Sequence, residues 1–179
     1  MNKKGNLFGV IAFFSLMAFI LLVGFVLVVG VAIVDFVYDT AVPELTGLGV
    51  IGGSNFTQFA EITIQPLNRV VQSLTWAAGV FYLILLISSI GFGVIVSRNG
   101  VSTWLLGMFL GLAILLLITS MLMSNIYEDF YNDTGELADR LREQVLLSYM
   151  ILYSPLVITS VIFIVGIIMF SGIGRQEVF

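Results

Sequence analysis

The chain has 179 residues, 59% of them hydrophobic, with a mean hydropathy of +1.11; a soluble domain of that size would lack the polar surface to cover so much apolar area. It contains no histidine and no cysteine, which excludes haem ligation through either, thiolate or imidazole metal sites, disulfides and Ser-His or Cys-His nucleophile pairs. Eleven acidic against seven basic residues give a net charge of −4, and neither a cofactor nor a nucleic-acid partner is expected.

Four apolar runs, Leu7–Tyr38, Val70–Val96, Val101–Ile126 and Ser148–Phe170, carry no charge in their middles. A run of roughly 20 apolar residues crosses the bilayer hydrocarbon as a helix, because lipid offers the backbone no hydrogen bonds. The expected fold is therefore all-α: one polytopic membrane domain over 1–179, with four transmembrane helices arranged as two antiparallel hairpins. The external segments are 39–69 and 127–147.

The chain starts with Lys3-Lys4 before its first apolar run, and Gly30-Val31-Ala32 has the look of a signal-peptide exit. The run is about twice the usual h-region of roughly 7–15 residues, so it is read as a span. About 30 helical residues reach roughly 45 Å, against a hydrocarbon core near 30 Å, so this span must tilt or project. Asp35 and Asp39 lie at its outer end, within reach of water, and neither marks an ion path.

The first external segment contains Gly47-Leu48-Gly49-Val50-Ile51-Gly52, which matches the G-x-G-x-x-G string of dinucleotide sites. That chemistry needs a strand before the glycines, a helix opening at them and an acid about 20 positions on. Pro43-Glu44 precede the string and no acid lies near Gln72, so the segment reads as an apolar glycine-rich turn. Asn55-Phe56-Thr57 and Asn132-Asp133-Thr134 are sequons that matter only in a eukaryotic secretory route. Ser97-Arg98-Asn99-Gly100 is a tight turn between spans two and three, which predicts that those two helices are antiparallel neighbours.

Span three carries Gly107-Met108-Phe109-Leu110-Gly111, a GxxxG in which two glycines one turn apart admit another helix backbone. Packing within the chain is the favoured use of Gly107 and Gly111, and contact between chains the other. Beyond this span, Glu128, Asp129 and Asp133 are hard oxygen ligands without EF-hand spacing, and read as a solvated acidic rim. Asp133-Thr134-Gly135-Glu136 has the form of a capping box that opens an amphipathic helix running into span four. Leu137, Leu141 and Val145 form its apolar stripe, which either packs on the chain and the membrane surface or docks a partner protein; Glu136–Arg140 is a favourable i,i+4 pair. Pro155 should kink span four.

Lys3, Lys4, Arg98 and Arg175 fall on one side of a four-span arrangement, while Arg69, Arg140, Arg142 and nearly all the acids fall on the other. Basic residues stay cytoplasmic, so both termini are expected inside. Tyr38, Trp76, Tyr127, Tyr131, Tyr149 and Tyr153 would form the outer aromatic belt, and Trp104 the inner one. No span offers a nucleophile paired with a base, or the buried charge of an ion-coupled carrier, so catalytic residues are not expected. Two functional readings remain: a non-catalytic structural or accessory subunit, held by lipid and by other membrane or capsid-like proteins at its acidic external face, or a homo-oligomeric pore lined by Ser88, Ser89, Thr119, Ser120 and Ser124.

The overall plan, a short basic start, two helical hairpins and acidic external segments, resembles the small multi-span membrane proteins of tailless icosahedral viruses that enclose a lipid membrane. The likeness is architectural and covers the whole chain. It implies a virion membrane protein beneath a capsid, its acidic loops turned to the shell. Tetraspanins share the span count, but their disulfide-bonded loop is impossible here.

Overall fold

The computed structural model describes residues 5–51, 54–59, 62, 65–97 and 104–171. Helix α1 (Gly5–Gly47) leads through a two-residue antiparallel bridge, β1 (Val50–Ile51) with β2 (Ser54–Asn55), into a single turn, α2 (Phe56–Phe59). Long helices α3 (Gln65–Ser97) and α4 (Trp104–Tyr131) follow, and then three shorter ones, α5 (Glu136–Glu143), α6 (Val145–Leu152) and α7 (Ser154–Phe170). Apart from that bridge the described architecture is all-helical. Three helices are long and apolar enough to cross a membrane; a fourth crossing exists if α6 and α7, bent by 75° at their junction, count as one span.

Helix α1 runs for 43 residues, about 64 Å at 1.5 Å per residue, roughly twice the hydrocarbon thickness. Nothing interrupts it before Pro43, and Thr40 and Thr46 donate their hydroxyls to the carbonyls of Phe36 and Val42 at 3.0 Å each. It stops where the glycines begin: Gly49 takes φ +62°, a left-handed conformation that a Cβ disfavours. The G-x-G-x-x-G string is thus a helix stop followed by a hairpin, the reverse of the strand-to-helix order that a dinucleotide site needs. Gly52 lies outside the described residues.

The long helices close into a ring in the order α1, α3, α7, α4. Gly9 faces Val96 and Gly24 faces Tyr82, so α1 and α3 run antiparallel; Phe109 lies against Gly166 and Phe170 while Ser120 meets Ser154, so α4 and α7 do too. The short link between α3 and α4 predicts that they stand side by side. They stand instead across the ring from each other, with α7 beside α3 and α1 beside α4. The turn at 98–100 lies outside the described residues.

Lipid tails are as apolar as leucine, so the hydrophobic effect does little to choose which helix faces meet, and close contact decides. Four glycines provide it. A Cβ at Gly9 would fall 2.7 Å from Val96, one at Gly79 2.9 Å from Leu146, one at Gly93 2.6 Å from Val165 and one at Gly24 2.8 Å from Ile151. At the end where α1 begins and α7 ends, edge-to-face rings of Phe13, Phe14, Phe109 and Phe170 fill the centre, with centroids 5.0–5.2 Å apart.

Candidate functional site

The chemistry of the molecule collects around α6, the eight-residue helix isolated by breaks at Gln144 and Tyr153. It is hemmed in by the three long helices: Leu146 meets Gly79 of α3, Ile151 meets Gly24 of α1, and Ser148 meets Tyr127 of α4. Each break frees carbonyls that lipid would leave unpaired at a cost of several kcal/mol each. Buried hydroxyls answer them. Ser148 donates to the Leu141 carbonyl and takes a 2.6 Å hydrogen bond from the Tyr127 hydroxyl, while Ser124 donates to the Leu152 carbonyl. Ser154 instead ties α7 to α4, donating to the Ser120 carbonyl within that helix at 3.2 Å. Gln144, 1% exposed, donates its amide to the Val28 carbonyl of α1 at 2.9 Å.

Above this seam sits a charge cluster. Asp35, only 4% exposed, lies 3.3 Å from Arg140 of α5; Asp39 pairs with the same guanidinium, and Glu143 lies 3.4 Å away. Burial works against the Arg140 charge, but Asp39, Glu143 and Asp35 outweigh it, so its pKa is raised above the ordinary guanidinium value. Arg140 turns to α1, not to Glu136 as the i,i+4 spacing suggested. Arg142 closes the end of α4: it donates to the Tyr131 carbonyl at 3.1 Å and the Asp133 carbonyl at 2.8 Å, pairs with Asp139 at 2.7 Å, and stacks 5.7 Å over the Tyr131 ring.

The expected stripe is broken up. Leu141 is 1% exposed and belongs to the core, Leu137 is half-buried, and Val145 is 58% exposed. The break at Gln144 rotates Val145 away from the other two, so the three do not share a docking face, and α5 packs on α1. Helix α5 begins at Glu136 as expected, but Gly135 is its N-cap and no side chain caps it; Asp133 Oδ1 accepts from the Thr134 amide at 2.7 Å instead. Pro155 occupies the first turn of α7, where its missing N–H costs no helix hydrogen bond, and the chain bends beside it.

Gly107 and Gly111 depart from the favoured use. Both are exposed on α4, and among the described residues nothing lies within 4 Å of a Cβ built on either. An apolar groove of about 450 Å³ runs between α4 and α7 close by, lined by Leu106, Leu110, Ile114, Phe163 and Ile167. The hydroxyls offered as pore lining are spent locally: Ser88, Ser89, Thr119 and Ser120 donate to the carbonyls of Ile84, Leu86, Leu115 and Leu117 at 2.6–2.9 Å, and Ser124 serves α6. They do not share one side either, since Ser89, Ser120 and Ser124 are buried whereas Ser88 and Thr119 are exposed.

Glu128, Asp129 and Asp133 stay exposed, and among the described residues no three carboxylates converge on a metal position. Tyr127, expected in the aromatic belt, is fully buried, while Trp76, Tyr149 and Tyr153 are exposed, the two tyrosines stacked 6.0 Å apart. Asn55 accepts from the Gln58 amide at 3.1 Å and so caps α2. Lys3, Lys4, Arg98 and Arg175 lie outside the described residues. Compared with protein-family models, curated proteins and solved structures, the chain matches none of them.

Proposed function

We propose that this chain is a non-catalytic structural or accessory subunit of a larger membrane assembly. In this reading it crosses the bilayer four times as two antiparallel hairpins, α1 with α3 and α4 with the bent α6–α7 pair, with both termini on the cytoplasmic side. The observation that carries it is the pair Gly107 and Gly111, which face outward beside an apolar groove; among the described residues no other element lies within 4 Å of a Cβ built on either. A glycine inside a helix costs about 1 kcal/mol relative to alanine, and its return in a membrane is the close approach of another helix. Among the described residues that return is missing, so a neighbouring chain is its natural source.

Glu128, Asp129, Asp133, Glu136 and Asp139 are exposed at the end that bears α5, which supports a partner of opposite charge there. The architectural resemblance would make that partner a capsid shell around an internal virion membrane; a multi-subunit membrane complex would use the same surfaces. The back-bonded hydroxyls weigh against the alternative of a serine-lined homo-oligomeric pore.

Gentle extraction from the native membrane, followed by identification of what accompanies the chain, tests the proposal. Wild type should arrive with partners, and Gly107→Leu/Gly111→Leu should insert normally but arrive without them. A wild-type chain recovered as a lone monomer overturns the assembly reading, and ion conduction by the reconstituted chain alone would install the pore in its place.

A further inference from the structure

We infer that the interior of the bundle holds bound water between the hydroxyl of Tyr82 and the side-chain carbonyl of Gln144. These are the two buried side-chain polar atoms among the described residues that find no protein partner. Tyr82 is 0% and Gln144 1% exposed, so neither reaches bulk solvent. An unpaired polar atom in such a place is costly, and internal water is what proteins commonly use to satisfy it.

Both side chains lie against one stretch of α1. The Tyr82 ring lies against Gly24, and the Gln144 amide is bonded to the carbonyl of Val28, one turn further along the same face, about 6 Å up the axis. Helix α3 runs antiparallel to α1, and a helical side chain leans toward the start of its own helix, so the Tyr82 hydroxyl projects from the Gly24 level toward Val28 and Gln144. The Gln144 bond to Val28, at 2.9 Å, also fixes the sense of the amide: swapping its nitrogen and oxygen would set two acceptors face to face. Its free atom is therefore an acceptor. Water completes the set, accepting from the tyrosine hydroxyl and donating to the glutamine oxygen.

At the Gly24 level the Tyr82 ring is held close against α1, with Ile151 Cδ1 2.8 Å from where a Cβ on Gly24 would lie.

Radiolytic hydroxyl labelling in lipid nanodiscs tests this, because radicals made from an internal water modify the side chain beside it. Tyr82 should be oxidised within the exposure that labels Tyr149 and Tyr153, which are 49% and 53% exposed. Phe13, equally buried but set among other phenyl rings, supplies the dry background. The second arm is Tyr82→Phe, which removes one oxygen and leaves the ring. With water present it breaks a satisfied bridge and lowers the midpoint of thermal unfolding by about 3 °C, whereas deleting a bare hydroxyl would raise it. Labelling of Tyr82 no greater than that of Phe13, or a raised midpoint in Tyr82→Phe, overturns the inference.

Discussion

Replacing Arg140 with methionine should destabilise the fold by about 2–3 kcal/mol, and the loss should be traceable to a single carboxylate. Three acids face this guanidinium, but Asp39 and Glu143 have side chains 39% and 56% exposed and can rehydrate, whereas the Asp35 side chain is 6% exposed and cannot. Stranding one member of a buried pair costs about 3–5 kcal/mol. Because the Arg140 side chain is itself 26% exposed, water entering its place recovers part of that, hence about 2–3 kcal/mol. For a chain of this size that is a fall of roughly 5–10 °C in the unfolding midpoint. Trp76 and Trp104 provide the fluorescence signal for a melt in nanodiscs. Asp35→Asn alone should cost about 1 kcal/mol, the worth of one hydrogen bond. Added to Arg140→Met it should restore most of the loss, since no buried charge is then left alone. A shift below about 0.5 kcal/mol for Arg140→Met, within the scatter of ordinary surface substitutions, would refute the reasoning. So would failure of Asp35→Asn to rescue it.

Two glycines of α1 should answer oppositely to alanine: Gly24→Ala should cost about 1–3 kcal/mol by forcing Tyr82 and Ile151 apart, while Gly30→Ala, with nothing within 4 Å, should gain about 0.5–1 kcal/mol in the same melt. Pro155→Ala should leave the bend of 75° in place, because Pro155 sits in the first turn of α7, where it costs no helix hydrogen bond, and Ser124 still holds the Leu152 carbonyl. Spin labels at Val145 and Phe163 report it, since a straightened helix would set them about 27 Å apart and the bent one about 21 Å. Single cysteines at Ser54 and Thr134 should react with an impermeant reagent in intact cells, and one at Asn99 should not; the reverse pattern would invert the topology.

Much of the apolar layout could be read from the sequence, because hydrocarbon imposes a length and a charge exclusion that composition reports directly. The runs ending near Tyr38 and starting near Val70, Val101 and Ser148 reappear as α1, α3, α4 and the α6–α7 pair, and Pro155 located the bend. Helix faces were not legible. Where every side of a helix is apolar, periodicity cannot tell the inside from the outside: Gly107-x-x-x-Gly111 is the visible motif, yet Gly9, Gly24, Gly79 and Gly93 make the close contacts, the last three with no partner glycine at that spacing. Gln144 was passed over for a related reason. Among Leu141, Arg142, Glu143 and Val145 it looked like one more polar residue on a helix continuing from Leu137, and only the break reveals that it points inward. The signal that might have found it is the run Gln144-Val145-Leu146-Leu147-Ser148, whose polar ends sit one turn apart and so share a face of an otherwise apolar helix.

Arg140 follows Asp35 by 105 residues, and this separation has a consequence for biosynthesis. At about 5–20 residues per second, a nascent chain carries Asp35 for roughly 5–20 s before its counter-charge leaves the ribosome. During that interval the carboxylate must stay hydrated, which keeps the far end of α1 from settling against the rest of the protein. Closure of α5 over α1 is therefore a late event, available only to a chain translated past its last loop. A truncated product would keep a naked acid at that end, a chemical mark by which an unfinished molecule differs from a finished one.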